Sequence, residues 1–240
     1  MSDLEHEHTA EAIADRIAAS NHNYIRDFIY GGIDGSVTTF AVVSGVAGAE
    51  LSVTVVLILG FANLVADGFS MAASNFLGTR AEHDDYLRLE KIEHRHIELA
   101  PEGEREEVRE IYRSKGFEGE ELEKAVALIT ADKDRWVKTM LTEEYGLPSE
   151  IRSPWTASLL TFAAFLICGL VPLIPYLFGF GSSFITSCVM TGFTFFLIGS
   201  FKSRWSTPGW LRSGLETFFV GSLAAALAYA VGVLLKGVAG

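Results

Sequence analysis

Residues 82–113 read EHDDYLRLEKIEHRHIELAPEGEREEVREIYR, and the chain is organised around this acidic, helix-forming run. It opens the only long polar segment; from residue 31 onward the sequence on either side is apolar enough to sit in lipid. Residues 81–153 hold 20 Asp/Glu against 12 Lys/Arg, a local charge of −8 out of −11 for the whole chain, with histidine neutral. Glutamates recur at helical spacing: Glu90, Glu93, Glu104, Glu107 and Glu110. Such a charge run is ordinarily a solvated helix face. The segments that flank it argue for more.

Hydrophobic residues make up 49% of the 240, and they gather into runs rather than spreading as in a soluble core. The runs cover 29–48, 53–77, 155–178, 182–201 and 215–235, each near the ~20 residues that cross a bilayer at 1.5 Å per residue. The expected fold is therefore all-α: a polytopic membrane protein of five transmembrane helices, with a three-helix cytoplasmic metal-binding insert between helices 2 and 3. Residues 1–28 read as an amphipathic lead-in, 29–78 as transmembrane helices 1 and 2, 79–153 as the insert and 154–240 as transmembrane helices 3 to 5. Within the insert, Pro101 and Gly116 punctuate helices expected over 79–99, 102–115 and 119–146.

The lead-in carries a modest apolar face of Ala10, Ile13, Ile17 and Ala18, and it lacks the basic start and apolar stretch of a signal peptide. His6 and His8 bracket Glu7 there, a candidate metal-catching triplet. Cys168 and Cys188 fall in apolar runs, as buried thiols rather than a disulfide framework or a CxxC motif. The acidic balance, with no basic patch, excludes nucleic acid as a partner. Orientation follows the Lys/Arg bias. With the amino terminus cytoplasmic, the inner segments hold Arg16, Arg26, the insert's 12 bases, Lys202, Arg204 and Arg212, and the outer segments only Lys236. Both the insert and the amino terminus are thus expected in the cytoplasm.

Polar residues stand where lipid should be. Asn63, Asp67, Met71 and Asn75 follow one another at i, i+4, a stripe drifting about 40° per step over roughly 18 Å of helix. The first span contributes Asp34, within the glycines of residues 31–35. A carboxylate in a span costs about 2.5–3.5 kcal/mol, so Asp34 and Asp67 are expected to face a partner or a wet pathway. Carboxylate with thioether suits a borderline divalent transition metal, because calcium or magnesium does not favour sulfur. In the insert, Glu93 and His96 lie one turn apart and can face Glu104 and Glu107 across the Pro101 turn, with Met140 and Glu144 closing the cluster. Carboxylates dominate and no thiolate is present, which fits exchangeable ferrous iron or manganese better than structural zinc.

Three functions follow from these residues: a transporter of such ions, a membrane protein that senses them, and a membrane-anchored di-iron carboxylate enzyme. The enzyme needs two Glu-x-x-His motifs in one bundle, and within the insert only Glu93-His94-Arg95-His96 is found. The in-membrane stripe favours transport over sensing. The acid-rich donor set cannot rank Fe2+ against Mn2+, Zn2+, Co2+ or Ni2+.

The runs RDFIYGGIDGSVTTF at 26–40 and ADGFSMAA at 66–73 resemble the vacuolar iron transporter family, in its bacterial type. So do Pro101-Glu102 with Glu104, Glu107 and Glu110-Ile111-Tyr112, and the Met140…Glu144…Gly146-Leu147 close of the insert. The resemblance covers about residues 24–237. It implies a homodimer of five-span subunits that exports ferrous iron and similar ions from the cytosol in exchange for protons, for iron detoxification, with the ions passing between the two first spans. By the same resemblance Asp34 is the pathway carboxylate, Met71 the pathway thioether and Asp27 an acid at the cytoplasmic mouth. Glu93, Glu104, Glu107, Met140 and Glu144 fall where the family's insert binds metal. His96 stands where a glutamate is expected, Leu141 at the second position of a Met-Met pair, and Asn63 and Asn75 where plant and fungal members tend to have acids. A bacterial inner membrane is the expected location.

Overall fold

In the computed structural model, residues 9–18, 24–148, 151–181 and 183–237 are described. The His6-Glu7-His8 triplet and the side chains of Ile17 and Ala18 lie outside them. Ten α-helices carry the described chain: α1 Ala10–Ala18, α2 Ile25–Gly48, α3 Val53–Leu99, α4 Pro101–Ser114, α5 Gly119–Thr130, α6 Lys133–Glu143, α7 Pro154–Leu170, α8 Ile174–Leu177, α9 Ser183–Lys202 and α10 Trp210–Leu235. Short 3₁₀ turns follow α7 and α9, and no strand occurs among the described residues. The described residues divide into two compact units, one drawn from 1–22 and 79–153 and the other from 23–78 and 154–240.

In the second unit α2 packs against α7, α9 and α10. Small residues allow this. A Cβ at Gly35 would lie 2.8 Å from Phe165 Cα, and one at Gly31 would collide with the Thr161 backbone. This Gly-x-x-x-Gly spacing brings two helix backbones together where lipid offers no hydrophobic drive. Phe40 and Val43 of α2 meet Leu64, Phe165, Leu173 and Phe195 in the core. The outer surface is apolar as well: Ile58, Val65, Phe69, Leu159, Val189 and Leu227 are all exposed. Covering one such side chain is worth about 1.5–3 kcal/mol, so a surface built of them calls for an apolar solvent.

Among the described residues four helices are long and apolar enough to cross a membrane: Val53–Leu99, Pro154–Leu177, Ser183–Trp205 and Trp210–Leu235. The helix α2, expected as the first of five spans, has the length at 24 residues but falls outside this set. Its glycines, hydroxyls and Asp34 dilute its apolarity, and being enclosed by three neighbours it has little lipid to satisfy. The stretch expected as the third span is interrupted after α7 by a 3₁₀ turn at Val171–Leu173. Pro172 and Pro175 cannot donate into a regular helix there, and Ser187 Oγ donates to the Pro172 carbonyl at 2.7 Å.

The polar unit is held by a core of Leu89, Val108, Val126, Trp136, Val137 and Met140, among others. Pro101 starts α4 with its absent N–H at no cost, and Glu102 and Glu104 sit in that first turn where the helix dipole favours acids. Two expectations for the insert need correction. Residues 79–99 are the continuation of α3, a single 47-residue helix. The helix expected over 119–146 is two, because Asp132 leaves helical geometry and its carboxylate accepts the Arg135 N–H at 2.8 Å, capping α6. The three expected insert helices are thus the end of α3 followed by α4, α5 and α6.

Candidate metal centres

In the polar unit, Glu93 and His96 project from one face of α3, and the turn at Ala100 folds α4 back so that Glu104 meets them. His96 Nδ1 lies 3.3 Å from Glu104 Oε1 and 4.0 Å from Glu93 Oε1. One donor atom from each of these residues falls within 4.8 Å of the other two. Both carboxylates are buried, Glu93 at 1% and Glu104 at 5% exposure, whereas His96 is partly open. Neither Glu93 Oε2 nor Glu104 Oε2 has a hydrogen-bond partner.

Buried acids are usually tied down by Arg or Lys. Here the bases point elsewhere: Arg109 pairs with Glu106 and Glu123, Arg113 with Glu110, Lys115 with Glu143 and Lys133 with Glu98. Among the described residues no Lys or Arg reaches Glu93 or Glu104. Two charges about 4 Å apart repel by about 4 kcal/mol at an effective dielectric of 20, so the cluster must take up a proton or a cation. Burial first, then the carboxylates of Glu107, Glu93 and Glu144, push Glu104 up to about 7. Glu144 is raised in the same sense by burial and then by Glu107 and Glu93. Carboxylate oxygens and one imidazole nitrogen, partly open on the His96 side, make a donor set for an exchangeable divalent ion.

The second unit has its own acids. Asp34, half-buried on α2, and Asp67, exposed on α3, are close enough to feel each other's charge. Asn63 Nδ2 donates to Thr38 and Thr39 at 3.4 Å each, and Thr38 Oγ1 donates to the Asp34 carbonyl at 2.8 Å. Asp27 is buried and accepts from Asn75 Nδ2 at 3.0 Å, while the same amide donates to Thr161 at 2.7 Å. Met71 is half-buried against the core cluster.

Residues 25–233, from the start of α2 almost to the end of α10 and including the insert, match the VIT family. The chain belongs to the VIT family. It is 33% identical over 92% of its length to a protein of Toxoplasma gondii named vacuolar iron transporter, covering 77% of that protein. It is 31% identical to one of the same name from Plasmodium falciparum, over 90% of this chain and 85% of the relative. It is 33% identical to vacuolar iron transporter 1 of Arabidopsis thaliana, over 85% and 83%. These relatives are named as transporters, which are not enzymes, and with its apolar helices this VIT-family chain is a membrane protein.

Not every acid singled out in the sequence joins the cluster of this VIT-family chain. Glu107 is exposed but near enough to act on Glu104 and Glu144. Glu110 is exposed and paired with Arg113. Glu90, one turn before Glu93, acts on Tyr86 instead. Met140 is wholly buried in the core, and its carbonyl accepts the Glu144 N–H at 2.9 Å. One participant was missed: the Tyr145 hydroxyl donates to Glu93 Oε1 at 2.9 Å. Burial and the Glu93 carboxylate push Tyr145 upward, so it remains a protonated donor. Its signal in the sequence is slight, a tyrosine between Glu144 and the turn-forming Gly146.

The raised Glu104 has a consequence for stability. In the folded state it keeps its proton up to about 7, whereas an unfolded glutamate loses it near 4.3. The folded protein then binds more protons between those values, and stability falls as pH rises through that window. The metal-free polar unit is expected to be more stable at pH 5.5 than at pH 8, by about 1–2 kcal/mol. Amide exchange across 89–108, corrected for intrinsic rates, measures this. Equal protection at both values would mean that Glu104 ionises without cost.

Proposed function

We propose that this VIT-family protein exports divalent transition-metal ions from the cytosol, ferrous iron first among them, by proton antiport. Mn2+, Zn2+, Co2+ and Ni2+ are further substrates that the same donors accept. The relatives' printed name supplies iron as the leading candidate. The observation that carries transport rather than mere binding is the pair Asp34 and Asp67, on separate helices of the apolar unit and within electrostatic reach. Placing carboxylates there costs about 2.5–3.5 kcal/mol each, a cost that a sensor with its site in the insert has no reason to bear.

In this reading α2 is the first of five spans and the protein acts as a homodimer. Asp67 is exposed on the single chain, and a second copy meeting it along α2 and α3 would enclose a pathway lined by Asp34 and Met71. Asp27 stands at the cytoplasmic mouth, while Asn63 and Asn75 hold the pathway helices in register through their hydrogen bonds. Glu93, His96 and Glu104 capture the ion in the insert, with Glu107, Met140 and Glu144 around them and Glu90 and Glu110 as outlying acids. The Lys/Arg bias puts the insert and amino terminus in the cytoplasm, with a bacterial inner membrane as the location. Protonation of Asp34 from the far side would release the ion there.

Ferrous-iron uptake into vesicles carrying the purified protein with its insert outward tests the proposal. Accumulation is expected. A protein that binds the ion tightly and moves none would be the sensor, and oxygen-dependent turnover of the iron would be the di-iron enzyme.

A further inference from the structure

We propose that Tyr145 is a positioning residue that leaves Glu93 a single free oxygen for the ion, and that it thereby biases the insert toward transition metals and against calcium. The inference rests on the reading that Glu93, His96 and Glu104 bind the ion. The chain reaches this arrangement through the end of α6. Glu144 N–H and Tyr145 N–H close onto the Met140 carbonyl at 2.9 and 3.4 Å, and Leu147 N–H onto that of Leu141 at 3.0 Å. Gly146 then takes the left-handed conformation, φ 66°, in which a side chain would be strained. This turn places Tyr145 so that its hydroxyl donates to Glu93 Oε1, on α3, at 2.9 Å.

The two oxygens of Glu93 are therefore unequal. Oε1 accepts from the Tyr145 hydroxyl, while Oε2 is buried without a hydrogen-bond partner, as is Glu104 Oε2. With Glu93 1% exposed, the carboxylate has no room to exchange those roles with water. A hydrogen bond to Oε1 occupies one of its lone pairs and fixes the carboxylate plane, which disfavours two-oxygen binding and favours binding through a single oxygen. Calcium gathers six to eight oxygens and draws on two-oxygen carboxylates, whereas iron, manganese and cobalt accept single carboxylate oxygens beside an imidazole. Partners of this kind, which orient a ligand without touching the metal, typically alter affinity about 10–100-fold.

The test is Tyr145→Phe in the purified full-length protein, titrated with Co2+ by its visible spectrum and again in competition with Ca2+. Cobalt affinity should fall about 10–100-fold, calcium affinity should fall less or rise, and the preference for cobalt should narrow accordingly. An unchanged cobalt affinity and preference overturns the proposal. So does an equal loss for both ions accompanied by a lower melting temperature of the metal-free protein, since that outcome gives the hydroxyl a structural role only. Glu93→Gln in the same titration separates the two failures. If Glu93→Gln loses cobalt while Tyr145→Phe matches the wild type, only the role of Tyr145 fails. If Glu93→Gln binds cobalt normally, the site itself lies elsewhere and the proposal falls with it.

Discussion

Glu104→Gln is expected to weaken divalent-metal binding by the insert at least 100-fold and, at pH 8, to make the metal-free protein more stable. The two effects share one cause. Glu104 is buried beside Glu93, with Glu107 and Glu144 close by and, among the described residues, no Lys or Arg paired with Glu93 or Glu104. An amide of the same shape removes a charge that is costly without the ion and needed with it. A 100-fold loss is about 2.7 kcal/mol, within what one charged ligand supplies in a partly buried site. Structure and function oppose each other here, as is common where a site stores strain for its ligand. Glu93→Gln should lose binding as fully, with a smaller gain in stability, because the Tyr145 hydroxyl that held the carboxylate remains. Calorimetric titration with Mn2+ at pH 7.5, paired with thermal melting of the metal-free variants, measures both quantities. Binding retained with stability lost would make the cluster a structural element instead.

Asp34→Asn should reduce metal flux through reconstituted vesicles at least 100-fold while leaving Mn2+ binding by the insert within about twofold. The substitution keeps size and removes the charge that Asp67 acts on. Helix contacts on that face should survive, because the interactions around Asp34 run through its carbonyl, which accepts from Thr38. A loss of this size is expected where a pathway carboxylate must both carry a cation and exchange it for a proton. If flux persists, the pathway does not pass Asp34. If binding by the insert falls as far as flux, the two sites form one unit rather than a capture site and a conduit.

Local spacing made much of this site legible. Glu93 and His96 at i, i+3, with Pro101 setting the return of α4, lie beside Glu104 as the periodicity suggests, three candidate donors in one place. Spacing says less about which polar groups are already satisfied. Asn63 and Asn75 lie on the same stripe as Asp67, yet their amides bond to Thr38, Thr39, Asp27 and Thr161 across neighbouring helices. Glu110 shares the helical spacing of Glu104 and Glu107, yet it faces Arg113. Tyr145 was hidden because its contact joins residues 52 apart in sequence and depends on the left-handed turn at Gly146. Residues 119–146 keep their helical periodicity across the cap at Asp132, so periodicity alone predicts one helix where there are two. The helix α2 is less apolar than the four others for a physical reason: a helix packed against three neighbours needs small residues more than greasy ones.

The central claim is that this protein moves a metal ion across a membrane against a proton flow. Its most direct test is anaerobic ferrous-iron flux into vesicles carrying the purified protein, followed with and without an imposed pH gradient, acidic inside. Uptake that is driven by the gradient and collapses with a protonophore is the predicted result. Tight binding of iron, manganese, cobalt, nickel and zinc with no flux of any of them, at either gradient, would contradict it.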